Sequence, residues 1–286
     1  MLQIYVKFKI TNLPYLIICF CGAIFHLLLL NGFVKDPQKC FKNSKTYLVA
    51  NLALADFLVC LSCFCYYIMS LGRYEQVILQ ILLSLPMCVS VITLASISMD
   101  RYFMIAYPIR HRNYVTVKGI LLWLVCIWLV AALYPAKLQI FPNQKYDQLV
   151  ANISGIIITF VTAAACSLTY KKLKKQSLNI CLQNWSIAEN RAQEIRALQE
   201  KRFLNTIIII ASIVAICIWP ASILGQVLIL KDISGERLNP ALKILSLVLN
   251  SMYLLNYSVN PLIYVLRLPN YRKTFLKVYC KKKIWC

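Results

Sequence analysis

The 286-residue chain divides into seven long apolar stretches separated by short polar ones. They run from Leu13 to Val34, Tyr47 to Leu71, Val77 to Ile105, Gly119 to Leu138, Leu149 to Tyr170, Phe203 to Leu230 and Leu242 to Leu266. None shows the alternation of a half-buried strand, and each has the roughly 20 residues that a helix needs to cross about 30 Å of hydrocarbon. The pattern predicts an all-α membrane protein, a seven-transmembrane helix bundle. Residues 1–12 then form a short N-terminal segment, 13–266 the bundle and 267–286 a tail. In the tail, Tyr271, Phe275 and Val278 recur at i, i+4 and i+7 opposite Arg272, Lys273 and Lys277, which predicts a short amphipathic cytoplasmic helix lying on the inner leaflet. A polar helix, a solvated helical extension with charges of both signs, is expected from Ile187 to Arg202.

Charge orients the bundle. With the N-terminus outside, Lys7, Lys9, Arg73, Lys137, Lys145, Lys231, Arg237 and Lys243 are extracellular, and the remaining 23 of the 31 Lys and Arg are cytoplasmic. The net charge of +21 is then a cytoplasmic face suited to membrane lipids with anionic headgroups and to an acidic partner surface; nucleic acid is not needed to explain it. A composition 60% apolar and 14% charged, with mean hydropathy +0.67, agrees with a chain that folds in lipid. The first stretch lacks an Ala-x-Ala cleavage pattern and runs into a basic loop, so it reads as a true span. None of the thirteen cysteines falls in an extracellular loop, and the two histidines, His26 and His111, build no metal-site spacing. One intramembrane acid and one intramembrane imidazole are too few for a catalytic cluster, so the chain reads as no enzyme. A transporter, the remote alternative, would show repeats with broken helices.

Polar residues inside the apolar stretches then become the candidate sites, because lipid tolerates them only for a reason. Asp56 lies in the middle of the second stretch. On the third, Gln80, Leu83, Met87, Ser90, Leu94 and Arg101 share roughly one inward face, and Ser90 is a possible partner for Asp56. Pro86 interrupts the same helix. At its cytoplasmic end Asp100, Arg101 and Tyr102 stand together; the acid can hold the guanidinium until the helices move, which is the chemistry of a switch. Glu200, three residues before the sixth stretch, lies at the depth of Arg101 and can pair with it. Pro220 makes a hinge in the sixth helix, and Pro261 loosens the seventh, where Asn256, Asn260 and Tyr264 form a polar stripe. The fourth stretch is read as ending at Pro135. Cys280, at the end of the tail helix, is a palmitoylation candidate. The Asn152 glycosylation pattern sits too close to the bilayer to be used.

Asn51 to Asp56, Asp100-Arg101-Tyr102 with Pro108 beyond, Trp128, Tyr170, Pro220, Asn260-Pro261-Leu262-Ile263-Tyr264 and the amphipathic tail together resemble the rhodopsin-like class of G-protein-coupled receptors over nearly the whole chain. The resemblance implies a receptor that passes extracellular ligand binding to a heterotrimeric G protein by opening its cytoplasmic face. It implies a sodium-binding pocket at Asp56, Ser90, Asn256 and Asn260, with His26 beside it as donor or as the ion's replacement. It further implies that Arg101, Tyr170 and Tyr264 rearrange when the G protein docks. Ligand-pocket candidates are Gln80, Leu83, Met87, Ile218, Trp219 and Tyr253.

Departures from the family pattern narrow the reading. His26 replaces the usual first-helix Asn, Gln76 the third-helix Cys, Thr162 the fifth-helix Pro, and Ile218 stands where the toggle Trp is expected, with Trp219 one residue on. Loss of the outer disulfide pair and of that Pro resembles the branch of melanocortin, cannabinoid, lysophospholipid and adenosine receptors. Leu83 replaces the acid of amine receptors, and no Lys lies between Ile244 and Leu266 for an opsin. An apolar pocket favours a small or lipid-like ligand, with a peptide kept among the candidate extracellular partners. A constitutively active or non-signalling decoy receptor of the same fold is the alternative.

Overall fold

The computed structural model describes residues 5–6, 12–36, 44–70, 73–140, 144–182, 187–233 and 240–280. Nine helices lie in them: α1 (Leu13–Lys35), α2 (Ser44–Ile68), α3 (Arg73–Ala106), α4 (Pro108–Tyr114), α5 (Val117–Ile140), α6 (Gln144–Leu182), α7 (Ile187–Ile233), α8 (Pro240–Arg267) and α9 (Pro269–Tyr279). All except α4 and α9 are long and apolar enough to cross a membrane, giving the seven spans expected. The two-residue strands β1 (Tyr5–Val6) and β2 (Met69–Ser70) pair antiparallel and tie the N-terminal segment to the outer end of α2. That pairing was not expected.

Local chemistry sets the boundaries. Asn12 and a proline at the first helical positions start α1, and its last turn closes on Asp36, which takes the left-handed φ of 28° and donates its N–H to Gly32 O at 3.1 Å. Both cytoplasmic helices are separated from the preceding spans at an X-Pro step. Tyr107 (φ −139°) before Pro108 and Leu268 (φ −105°) before Pro269 leave the helical region, because a following proline disfavours it. Pro135 does not end the fourth span, since α5 continues through it to Ile140. The polar Ile187–Arg202 segment is the helical extension expected: it is the first part of a 47-residue α7, about 70 Å long and reaching well beyond the bilayer.

α1 packs on α2 and α8, while α3 is central, touching α2, α5, α6 and α7. The core between them is aliphatic, with Leu48, Val49, Leu52, Ile97, Ile207 and Ile210 fully buried. At the α1–α2–α8 junction the side chains of Ser258 and Cys60 close over Gly22, so that a Cβ there would lie 2.4 Å from Ser258 Oγ and 2.8 Å from Cys60 Sγ. Only glycine fits there. The tail helix α9 buries Tyr271 and leaves Arg272, Lys273 and Lys277 exposed, as its pattern predicts. Its far end hangs on α1: Tyr279 OH donates to Leu28 O at 2.8 Å and accepts from Asn31 Nδ2 at 2.9 Å.

Candidate functional site

Two buried polar clusters lie along the bundle axis. The first surrounds Asp56, which is fully buried on α2. Ser90 Oγ donates to its Oδ1 at 2.5 Å and Asn260 Nδ2 to its Oδ2 at 2.7 Å, so three helices meet on one carboxylate. Asn256 is buried one turn away on α8 and makes no bond to Asp56; its Oδ1 and that of Asn260 meet no donor among the described residues. The donor set can therefore take a hard cation: the residues present offer one carboxylate and two unspent amide oxygens in a buried space.

His26 is placed differently from the expectation. It does not bond to Asp56; its Nε2–H donates to the backbone carbonyl of Tyr257 at 2.7 Å. Pro261 explains why that carbonyl is available. A proline has no N–H for the carbonyl four residues before it, so Tyr257 O is orphaned in the helix and an imidazole from α1 meets it. The same device recurs on α3, where Pro86 orphans Leu82 O and Ser62 Oγ of α2 donates to it at 3.0 Å.

The second cluster lies at the cytoplasmic end. Arg101 is 1% exposed, among the most deeply buried large side chains of the protein. Its Nη2 pairs with Asp100 Oδ2, and its Nη1 donates to Glu200 Oε2 of α7 at 3.2 Å and to Met104 Sδ at 3.1 Å. The Phe203 ring lies 5.3 Å from the guanidinium carbon. Asp100 holds a second partner through its other oxygen: His111 Nε2–H of α4 donates to Oδ1 at 2.8 Å. Lys172 of α6 sits 5.3 Å from the Tyr102 ring and 5.1 Å from that of Tyr107. Tyr170 is 44% exposed and stands apart from Arg101, whereas Tyr264 is buried and stacks on Tyr271.

Toward the outside, Leu83, Met87 and Tyr253 come together, with Tyr253 OH donating to Met87 Sδ at 3.7 Å and accepting from Tyr257 OH at 3.3 Å. Ile218 is buried and Trp219 packs beside it, whereas Gln80 is exposed. Sequence reasoning missed Gln226, whose Nε2 is buried and meets no acceptor among the described residues, as is the case for Trp219 Nε1. Ser222 and Gln226 follow Ile218 at intervals of four on one face of α7, and that spacing was the available signal.

The family profile described as 7 transmembrane receptor (rhodopsin family) matches residues 27–148. Galanin receptor 2b of Danio rerio is 24% identical over 94% of this chain and 75% of its own length. Allatostatin-A receptor of Bombyx mori is 22% identical over 84% and 72%. The crystal structure of squid rhodopsin shares the fold with a TM-score of 0.77 at 16% identity, covering 95% of this chain and 84% of that one. With seven helices long and apolar enough to cross a membrane, the chain is similar to the rhodopsin-like G-protein-coupled receptors, the family profile matching residues 27–148 and the fold being that of squid rhodopsin.

Proposed function

We propose that the receptor is switched at Arg101. A guanidinium held by a carboxylate of its own helix and by Glu200 of α7 closes the cytoplasmic mouth, and this cross-helix pair is the observation that carries the reading. Outward swing of α7 about Pro220 separates Glu200 from Arg101 and frees the guanidinium, while Tyr170 and Tyr264 move in to complete a G-protein docking face. Asp56, Ser90, Asn256 and Asn260 hold sodium in the resting arrangement only. An ion that binds one state shifts the equilibrium toward it. The exposed thiol of Cys280 at the end of α9 takes an acyl chain, fixing the tail helix to the inner leaflet.

For the ligand, relatives named for galanin, allatostatin A and trissin favour a peptide. The small or lipid-like ligand that an apolar pocket favours finds no support among them. Gln226 Nε2 and Trp219 Nε1, buried donors in the outer half of α7 that meet no acceptor among the described residues, are suited to the carbonyls of a peptide backbone. Leu83, Met87, Ile218 and Tyr253 supply the apolar wall. The test is nucleotide exchange on a panel of purified G proteins, using the full chain in nanodiscs with peptide and lipid libraries. A peptide is expected to stimulate exchange in the parent and much less in Gln226→Ala. Stimulation by lipids alone overturns the ligand assignment, and absence of exchange with every G protein overturns the coupling reading in favour of a non-signalling decoy.

A further inference from the structure

The seam between α1 and α2 closes in successive rungs from its outer end inward. The Tyr15 and Tyr67 rings stack across it with centroids 4.7 Å apart. Further in, Gly22 lies against Cys60, whose Sγ would be 2.8 Å from a Cβ at that glycine. Between these rungs the helical period brings one more pair to the seam. Cys19 follows Tyr15 by four residues on α1, and Cys63 precedes Tyr67 by four on the oppositely directed α2. Both are buried, 1% and 3% exposed, and their side chains interact directly. Neither belongs to the Asp56 or the Arg101 cluster.

We propose that Cys19 and Cys63 form a disulfide that staples α1 to α2 just inside the outer face of the membrane. The structure holds both as thiols, the reduced form of the pair. Depth favours oxidation. Cys19 is six residues from the start of α1 and Cys63 five from the end of α2, so both lie within about 10 Å of the helix ends that the charge distribution places outside. During synthesis that side faces the oxidising lumen of the secretory compartment. Cys60, one turn further in, also lies near Cys19, but its sulfur is engaged by Ser258 Oγ at 3.6 Å.

The chemistry is thiol–disulfide exchange. One cysteine attacks a disulfide of the lumen, small-molecule or protein-borne, and releases one thiol; the second attacks the resulting mixed disulfide and releases the other. Each protein thiol gives up its proton, and the pair loses two electrons as the oxidant is reduced to two thiols. α8 sets the moment. Its Leu254 and Tyr257 pack over the cysteines in the finished bundle, yet they are synthesised long after Cys63. Until they arrive the α1–α2 hairpin lacks that cover, and afterwards the same side chains keep reductants away. The cross-link removes freedom from the unfolded chain between positions 19 and 63, which is how it stabilises the fold.

The experiment denatures cells expressing the full chain directly in excess maleimide, so that free thiols are capped before they can exchange. The digested protein is then read by mass spectrometry. In the parent and in Cys60→Ser, a peptide pair joined through Cys19 and Cys63 is expected, lighter by the hydrogens lost and separated by reductant. It is expected to be absent from Cys19→Ser and Cys63→Ser, where the remaining partner carries maleimide. Maleimide on both Cys19 and Cys63 of the parent overturns the proposal, as does a bond from either to Cys60. The parent alone decides this, so a variant that fails to fold changes nothing. Melting of the purified protein reads the staple's contribution. Cys19→Ser, Cys63→Ser and the double variant should all melt lower than the parent by the same several degrees, because the second substitution has no bond left to remove. Losses that add mean two side chains packing independently and overturn the staple.

Discussion

The two buried clusters of this protein are built on opposite principles. At the cytoplasmic end Arg101 is crowded with partners: two carboxylates, a thioether and an aromatic face surround one guanidinium. At mid-membrane Asp56 has two neutral donors, while the amide oxygens beside it stay unspent. In the proposed reading the first arrangement is opened by pulling helices apart. In the same reading the second is closed by a cation that enters. A latch and a socket on one axis would then respond to different inputs, helix displacement for one and ion concentration for the other.

Removing the latch cation should give the largest effect. Arg101→Ala is expected to reduce nucleotide exchange to the level seen without receptor while surface expression stays largely intact, because the mouth lies close to water and both carboxylates can be hydrated there. Normal signalling from this variant would dissolve the distinction between the clusters. Next comes the link between the socket and α1. His26→Ala leaves the Tyr257 carbonyl without a donor, which costs about 1–3 kcal/mol and should lower the melting temperature of the purified receptor by several degrees. Melting at the parent's temperature would mean that the carbonyl finds another donor.

The socket itself is tested by titrating sodium against potassium at constant ionic strength. Basal exchange should fall with sodium in the parent and stay flat in Asp56→Asn; a parent indifferent to the choice of cation refutes the pocket. The smallest effect belongs to Glu200→Gln. Its side chain is 23% exposed, so the pair with Arg101 contributes about 1 kcal/mol or less and basal activity should rise severalfold at most. A lowered basal signal would place Glu200 on the active side of the equilibrium.

Much of this was legible in the chain. Continuous apolar stretches announce spans because lipid admits little else, and equal membrane depth was enough to bring Glu200 to Arg101 across 99 residues. The helical period likewise brought Ser90 to Asp56. Other contacts had no such signal. Pro261 and Pro86 announce orphaned carbonyls, but nothing local says that His26 and Ser62 will meet them, since that depends on which helix packs alongside. His111 entered the sequence reading only as one of two histidines too few for a metal site, and only the turn at Tyr107-Pro108 folds it back onto Asp100. Tyr279 was hidden for the same reason, its partners lying on the first helix.

The bonds of α1 also set an order of events during synthesis. His26 and Tyr257 are 231 residues apart, and Asn31 and Tyr279 are 248 apart. A ribosome adding roughly 5–20 residues per second needs about ten to fifty seconds to cover such a distance. Throughout that interval the first helix waits in the membrane with an imidazole and an amide unmet, held by its apolar faces against α2. Closure of the ring is therefore the last step of assembly, and the seam between α1 and α8 is where a stalled or truncated chain exposes polar groups to lipid and to the machinery that inspects unfinished membrane proteins.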